Sequence, residues 1–256
     1  SSARRSAMRS CRRQDSSTII WSTARATGPA PSSQANMADT GHRPVPVTLV
    51  RVCMAGAALL PRSWRGPLGR TLGLAADFLG LRHARTTAVN LALTHPDLPT
   101  RPRRALARRS LIADARLALE LPATWQRAPG RLLARVDGAA AAERLAQAEA
   151  RGRGVLLLVP HLGNWELLCL WLQARASAER PFTALYRPLR DPALDHWLHR
   201  VRQRTGARLA ATDAAGLRTL VRALRAGGVV GVLPDQVPPP EAAVAAPFFG
   251  RDALTM

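Results

Sequence analysis

Short apolar runs alternate with amphipathic segments in the second half of the chain. Residues 155–159 are uniformly apolar, follow two glycines and stop at Pro160, a pattern typical of a strand buried on both faces. Residues 228–233 repeat this pattern, and residues 182–186 form a weaker third run. Helices are predicted between the strands, over residues 165–176, 192–204 and 216–225. The alternation predicts an α/β domain with a mostly parallel sheet flanked by helices, in which ligand-binding groups lie where the strands end.

The region before the first strand has a helical pattern instead. Leu72, Ala75, Ala76 and Leu79 fall on one helical face, and a second amphipathic segment follows a break at residues 94–102. A third helix is predicted over residues 139–150. These segments indicate a group of N-terminal helices that packs against itself before the sheet begins.

Residues 45–60 form an apolar segment interrupted only by Thr48 and Arg51. A membrane-spanning helix needs about 20 apolar residues, and this segment is shorter and contains a charge. Pro61, Trp64 and several arginines follow it, so residues 45–69 are interpreted as a helix and flank that lie in a membrane interface. The alternative is a buried first helix of a soluble domain.

Residues 1–36 are rich in Ser, Arg and Ala and lack an apolar period. We interpret them as disordered or as the product of an upstream start, because Met37 opens a more ordinary sequence. A mitochondrial presequence has a similar composition but would need amphipathic spacing, which is absent.

The chain carries a formal net charge of +20 and contains no lysine, so its basic charge comes from arginine. Such a surface attracts phospholipid headgroups, nucleic acid or an acidic carrier protein. A nucleic-acid partner is not expected, because the arginines are dispersed and aromatic residues make up only 4% of the chain. Three scattered cysteines provide neither a disulfide framework nor a zinc site, and no nucleotide-binding motif is present. Cys169, among leucines, is expected to be a buried inert thiol and not an acyl carrier.

His161 and Glu166 are the candidate catalytic pair. Five residues along a regular helix turn two side chains about 140° apart, so the pair can meet only if His161 lies in the turn before the helix. Gly163 and Asn164 are suited to form that turn. Glu166 could then accept a hydrogen bond from one ring nitrogen, leaving the other to take a proton from a substrate hydroxyl. The spacing alone equally allows a histidine that only caps the helix.

Two further charged residues are predicted near this site. Arg202 borders the apolar stripe of its helix, so it needs an anion, either a carboxylate or a bound phosphate, unless its head reaches solvent. Asp235 follows the strand at residues 228–233 and would lie at the same sheet edge as His161 if the strands are parallel. It could pair with Arg202 or Arg187, orient an acceptor, or simply form a turn.

The sequence around His161 resembles the His-x-x-x-x-acid motif of the lysophospholipid acyltransferase superfamily. Residues 160–166 as a whole resemble the late acyltransferases of bacterial lipid A biosynthesis. Further blocks are similar to that family and occur in its order: Tyr186-Arg187-Pro188, Arg202 to Gly206, Pro234-Asp235-Gln236 and Pro247 to Gly250. The resemblance covers about residues 47–256.

The resemblance implies transfer of a fatty acyl chain from acyl carrier protein to a hydroxyl of a lipid A precursor, at the cytoplasmic face of the inner membrane. His161 would be the general base and Glu166 its orienting partner, without metal or cofactor. Arg202, Asp235, Arg187 and Asn164 would bind the phosphorylated acceptor or the thioester.

Family members continue beyond the Phe-Phe-Gly block with further strands and helices. Residues 70–256 are therefore expected to be a C-terminally incomplete acyltransferase domain. Three alternatives remain open at this point: acylation of a glycerophospholipid or ornithine-type lipid, an arginine-rich nucleic-acid-binding protein, and a fragment that folds without catalysing.

Overall fold

The computed structural model describes residues 47–177, 179–189, 191–204, 206–235 and 243–255. The predicted disordered extension, residues 1–36, lies outside them. In the described chain the helical region comprises α1 (Val47–Leu59), α2 (Arg62–Phe78), α3 (Arg82–Thr94), α4 (Thr100–Gln126), α5 (Pro129–Leu133) and α6 (Ala139–Glu149). The rest comprises β1 (Val155–Leu158), α7 (Trp165–Arg175), β2 (Phe182–Tyr186), α8 (Pro192–Gln203), β3 (Arg208–Ala211), α9 (Ala214–Arg225), β4 (Val229–Val232), β5 (Val244–Phe248) and β6 (Arg251–Thr255).

Strands β1 to β4 form a parallel sheet in the order β1-β4-β2-β3, and β5 and β6 form a separate antiparallel hairpin. The predicted α/β fold with a parallel sheet flanked by helices is confirmed. Strand β3 and the hairpin were not predicted. Arg208–Ala211 begins with a charge and has only four residues, so its sequence lacks the apolar run that marks the other strands.

Helices cover both faces of this sheet. On one face, Leu145 of α6 and Leu172 of α7 pack with Phe182, Ala184 and Val229 of the strands. On the other face, Leu220 of α9 packs with Ala210 and Val230. Because β4 lies between β1 and β2, Val230 is fully buried.

The expectation that β1 is buried on both faces is wrong. Val155 and Leu157 pack against the core on one face, but Leu156 and Leu158 on the other face expose 53% and 64% of their surface, because the described helices cover this edge strand on one face only. An apolar run shows that a strand prefers burial, but it carries no information about the strand's position in the sheet.

The predicted helix and flank over residues 45–69 fall on two helices of the structure. Pro61 separates two helices, and residues 62–69 belong to the 17-residue helix α2. Leu49, Val52 and Leu59 of α1 are exposed, and Ala58 is its only buried hydrophobic residue in the described chain. None of the described helices combines the length and apolar character needed to cross a membrane.

Helices α2 and α4 pack closely because glycines face the contact. A Cβ atom at Gly73 would lie 2.6 Å from backbone atoms of Ile112, and one at Gly69 would lie 2.4 Å from Arg116 Cγ. These distances leave no room for a side chain, so the glycines set the separation of the two helices.

Gly73→Ala should therefore destabilise the fold by about 1–3 kcal/mol, because backbone has to move to admit the methyl group. Gly56→Ala in α1 is the matched control, since a Cβ at Gly56 meets nothing within 4 Å. That change should leave stability equal or raised by up to about 1 kcal/mol, as alanine favours the helix. Urea unfolding followed by circular dichroism measures both, and equal effects would contradict the close α2–α4 contact.

Candidate active site

The predicted strand–turn–helix arrangement around His161 is confirmed. The Val159 N–H donates to the Val232 carbonyl oxygen at 2.8 Å, which ends the pairing of β1 with β4. Gly163 then adopts a φ of 55°, a left-handed conformation that a glycine tolerates without strain. Asn164 is the N-cap of α7, and its Oδ1 accepts a hydrogen bond from the Leu167 N–H at 3.1 Å.

His161 is held by Asp235. Its Nδ1 lies 2.9 Å from Asp235 Oδ1, and its backbone N–H donates to Asp235 Oδ2 at 2.8 Å. Trp165 contacts the imidazole edge-on, with 4.7 Å between the ring centroids. Three contacts thus fix the ring at the carboxyl end of β1.

The protonation of this pair follows from the carboxylate. Burial alone would raise the pKa of Asp235, but the hydrogen bonds from the His161 ring and backbone outweigh burial and hold that pKa below its ordinary value. An ionised carboxylate only accepts hydrogen bonds, so the Nδ1 of a neutral His161 must carry the proton. Its Nε2 is then an unprotonated base.

Glu166 has a different partner from the one predicted. Its side chain is 5% exposed and accepts hydrogen bonds from Arg202, whose Nε lies 3.1 Å from Oε1 and whose Nη2 contacts the same oxygen. The expected hydrogen bond between Glu166 and His161 is wrong. Glu166 points between α7 and α8, where a buried carboxylate needs a counter-charge, and Arg202 provides it.

Arg202 and Asp235 each have a partner within the protein. Of the two anions that the sequence left open for Arg202, the structure shows a protein carboxylate, that of Glu166, and its role in binding a phosphorylated acceptor or thioester stays a prediction. The suggestion that Asp235 pairs with Arg202 or Arg187 is wrong, because both of its oxygens contact His161. The sequence contained half of the signal for this pairing, since each of two strands ends in a proline followed by His161 or Asp235. The other half, that these two strands are neighbours, comes from the structure.

Asn164 connects the turn to α4 and does not line the cavity beside His161. Its Nδ2 donates to Thr124 Oγ1 at 2.9 Å and lies 3.5 Å from Glu120 Oε2. The expected substrate contact is thus replaced by contacts within the protein. Thr124 was not a predicted site residue, because a threonine inside a helix gives no sequence signal for such a role.

Arg204 is a second residue that the sequence did not reveal. Its Nη1 donates to the Trp125 carbonyl oxygen at 2.7 Å, and its Nη2 contacts that of Thr124. A guanidinium group at the last turn of α4 satisfies carbonyls that the helix leaves without partners. The end of α4 is therefore bonded to α7 through Asn164 and to the end of α8 through Arg204.

A cavity of about 640 Å³ opens beside His161. Glu166 and Arg202 line it on one side, and Tyr186 and Arg187, at the end of β2, line it on another. Arg187 is exposed, and no ion pair to it occurs among the described residues. The remaining wall is largely apolar: Cys169, Ala184, Leu185, Leu198, Leu209 and Leu233. The cavity thus combines a base, two guanidinium groups and an apolar interior.

Cys169 lies in this wall as a thiol. Burial, together with the nearby Glu166 carboxylate, raises its pKa to about 12. A thiol with that pKa is not a nucleophile near neutral pH, which agrees with the prediction of an inert residue. Within the described residues, no three His, Cys, Asp or Glu side chains are grouped to hold a metal ion.

The Asp235→Asn variant tests the His161–Asp235 bond through the pH dependence of the unfolding free energy. Because the pKa of Asp235 is lowered in the fold, its ionised form stabilises the fold above about pH 4, and this contribution is lost as the pH falls through the folded-state value. The wild-type chain should therefore exceed the variant in unfolding free energy near pH 6 and lose that advantage in acid. Urea unfolding at several pH values measures the difference. Asp97→Asn, an exposed control, should show no such pH-dependent gap.

Glu166→Gln should destabilise the fold, because it leaves the half-buried Arg202 without a counter-charge. Removing one partner of a buried ion pair costs about 3–5 kcal/mol, and the partial exposure of Arg202 favours the lower end. The double variant with Arg202→Gln should lose less than the sum of the two single changes. Thermal and urea unfolding of the four proteins give this cycle, and additive losses would show that the pair contributes nothing.

Comparison with known proteins relates this arrangement to one family. The sequence profile described as bacterial lipid A biosynthesis acyltransferase matches residues 43–256. The lipid A biosynthesis myristoyltransferase of Escherichia coli (strain K12) is 29% identical over 204 residues, which cover 79% of this chain and 61% of that protein. The lipid A biosynthesis lauroyltransferase of the same organism is 29% identical over 187 residues, covering 71% and 57%.

A third relative, a lipid A biosynthesis acyltransferase of Haemophilus influenzae, is 31% identical over 115 residues, covering 44% of this chain and 35% of that protein. The chain spans about three fifths of the length of the Escherichia coli relatives. The profile match extends over the N-terminal helices, the sheet and the His161 turn, and the chain belongs to the bacterial lipid A biosynthesis acyltransferase family.

Proposed function

We propose that the His161 cavity transfers a fatty acyl chain to a hydroxyl group of a lipid A precursor. The observation that carries this proposal is the His161–Asp235 pair at the mouth of a mixed polar and apolar cavity. The family supports acyl transfer as the reaction and lipid A as the pathway.

His161 acts as the general base. Asp235 fixes the proton on Nδ1, so Nε2 takes the proton of the acceptor hydroxyl as its oxygen attacks the thioester carbonyl carbon. A carbon–oxygen bond forms, and the carbon–sulfur bond breaks. The proton then passes from Nε2 to the leaving thiolate, which restores neutral His161.

Arg202 and Arg187 both supply positive charge to the cavity, Arg202 for the thioester and Arg187 for the acceptor. The Arg202 guanidinium is fixed by Glu166 and lines the cavity, where its positive charge stabilises the oxyanion that develops on the thioester carbonyl. Arg187 is exposed at the rim and binds a phosphate group of the acceptor. Glu166 thus acts through Arg202 and not through His161, as the contacts of the two residues indicate.

The donor in this proposal is acyl carrier protein. Its acidic surface complements the net charge of +20, and the apolar cavity wall accommodates part of the acyl chain. The reaction takes place at the cytoplasmic face of the inner membrane. Leu59, Trp64 and Phe78, which are exposed along α1 and α2, support contact with a lipid surface.

His161→Ala should lower the acyl-transfer rate by about 10²-fold or more, because general bases usually contribute at least that much. His196→Ala, on the exposed side of α8, is the matched control and should change the rate by less than about threefold. The assay uses radiolabelled acyl carrier protein thioester and a lipid A precursor in mixed micelles. A rate for His161→Ala near that of the parent would refute the general-base role.

The acceptor class is tested in the same assay. Lysophospholipid and ornithine-type lipid are offered beside the lipid A precursor, at equal concentration. Preference for the lipid A precursor supports the proposed acceptor, and preference for another lipid overturns it while leaving the chemistry of His161 intact.

A further inference from the structure

Three arginines converge where α1 meets α2. Arg65 Nη2 donates to the Leu60 carbonyl oxygen at 3.0 Å, and Arg127 Nη2 donates to that of Ala58 at 2.8 Å. Arg62 is the first residue of α2 and lies one turn before Arg65. We call Arg62, Arg65 and Arg127 the arginine corner. Each guanidinium carries five N–H groups, so these two bonds leave most of the donors available.

The charge of the arginine corner is not balanced within the described residues. Arg65 exposes only 9% of its surface, and its buried Nε has no hydrogen-bond partner there. Burial lowers the pKa of Arg65, and repulsion from Arg127 and Arg62 lowers it further, while Glu120 opposes them. Three cations therefore share one nearby carboxylate. Cations held this close repel one another, and an anion bound beside them would relieve that repulsion.

The start of α2 adds a second source of attraction for an anion. Pro61 is its N-cap and provides no side-chain hydrogen bond, and no acidic residue lies in the first turn. The backbone N–H groups and the helix dipole at such an end favour negative charge. The side chain of Arg65 reaches back to this end, since it contacts Leu60, the residue before Pro61.

A groove of about 440 Å³ leads away from the arginine corner along α1. Its lining residues come from α1 and from the ends of two neighbouring helices: Thr48, Arg51, Val52, Ala55, Gln126 and Trp197. The α1 positions follow helical spacing and continue to Ala58, whose carbonyl holds Arg127. Gln126 directly precedes Arg127. The groove and the corner are thus neighbours in the fold.

We propose that the arginine corner binds the phosphate of an anionic membrane phospholipid and that the groove along α1 holds part of its apolar chain. Guanidinium groups bind phosphate through paired N–H donors. Leu59 and Trp64, which are 79% and 65% exposed, flank the corner with side chains suited to the membrane interface. None of these residues lines the His161 cavity, so the lipid site is separate from the acceptor.

The test is sedimentation of the protein with phosphatidylcholine vesicles containing one fifth phosphatidylglycerol, at about 0.15 M salt. Arg62→Gln/Arg127→Gln should weaken binding about 25-fold, since a basic residue near an anionic surface contributes about fivefold. Arg151→Gln/Arg153→Gln removes the same charge from the exposed loop before β1 and should weaken binding less than about threefold. Arg62→Gln alone, at an exposed position, should weaken it about fivefold, so the test does not depend on tolerance at Arg127.

Equal loss in the two double variants would overturn the proposal, because it would mean that the total charge and not the arginine corner governs binding. Unchanged vesicle binding with a raised KM for the lipid A precursor would also overturn it and would assign the corner to the acceptor phosphate. Circular dichroism confirms that each variant is folded. Because the measurement is binding, it succeeds or fails independently of acyl transfer.

Discussion

The parallel pairing of β1 with β4 is the contact on which the candidate site depends. It brings together His161 and Asp235, which are 74 residues apart in the chain, at one edge of the sheet. The Asp235 carboxylate meets both the backbone N–H and the ring of His161, so one contact sets the position and the tautomer of the imidazole. Without it, the turn after β1 would hold a histidine of undefined orientation.

Two carboxylates near His161 have different roles because their surroundings differ. Asp235 is partly open to solvent and, in the part of the chain that the structure describes, contacts the histidine, whereas Glu166 is almost completely buried and contacts a guanidinium group. A buried carboxylate needs a cation beside it, and Arg202 provides that cation for Glu166. Glu166, the acid of the His-x-x-x-x-Glu motif, thus holds Arg202 in place in this chain.

The sequence predicted the elements more reliably than their contacts. The runs at residues 155–159 and 182–186 gave the strands, and Pro160 to Glu166 gave the turn, because local apolar patterns and glycines determine local structure. The order β1-β4-β2-β3 depends on packing between segments that are distant in the sequence. Local sequence patterns therefore predict neither the edge position of β1 nor the contact between Asp235 and His161. Asn164 and Arg204 were missed as contacts of α4 for the same reason. Of the residues named from the family resemblance, His161, Glu166, Arg187 and Arg202 line one cavity, but Asp235 and not Glu166 contacts the histidine, and Asn164 contacts α4.

Helix α4 has 27 residues and extends about 40 Å, which is long for a domain of this size. Its close contact with the glycine face of α2 fixes it along one side, and its last turn holds Asn164 and Arg204. Arg127 follows that turn and binds the end of α1. The helix therefore connects the N-terminal helices to the His161 turn. Pro122 lies inside it, one turn before its end, and removes one backbone hydrogen bond there, so the contacts of Asn164 and Arg204 with the last turn hold a part of the helix that its own ladder holds less firmly.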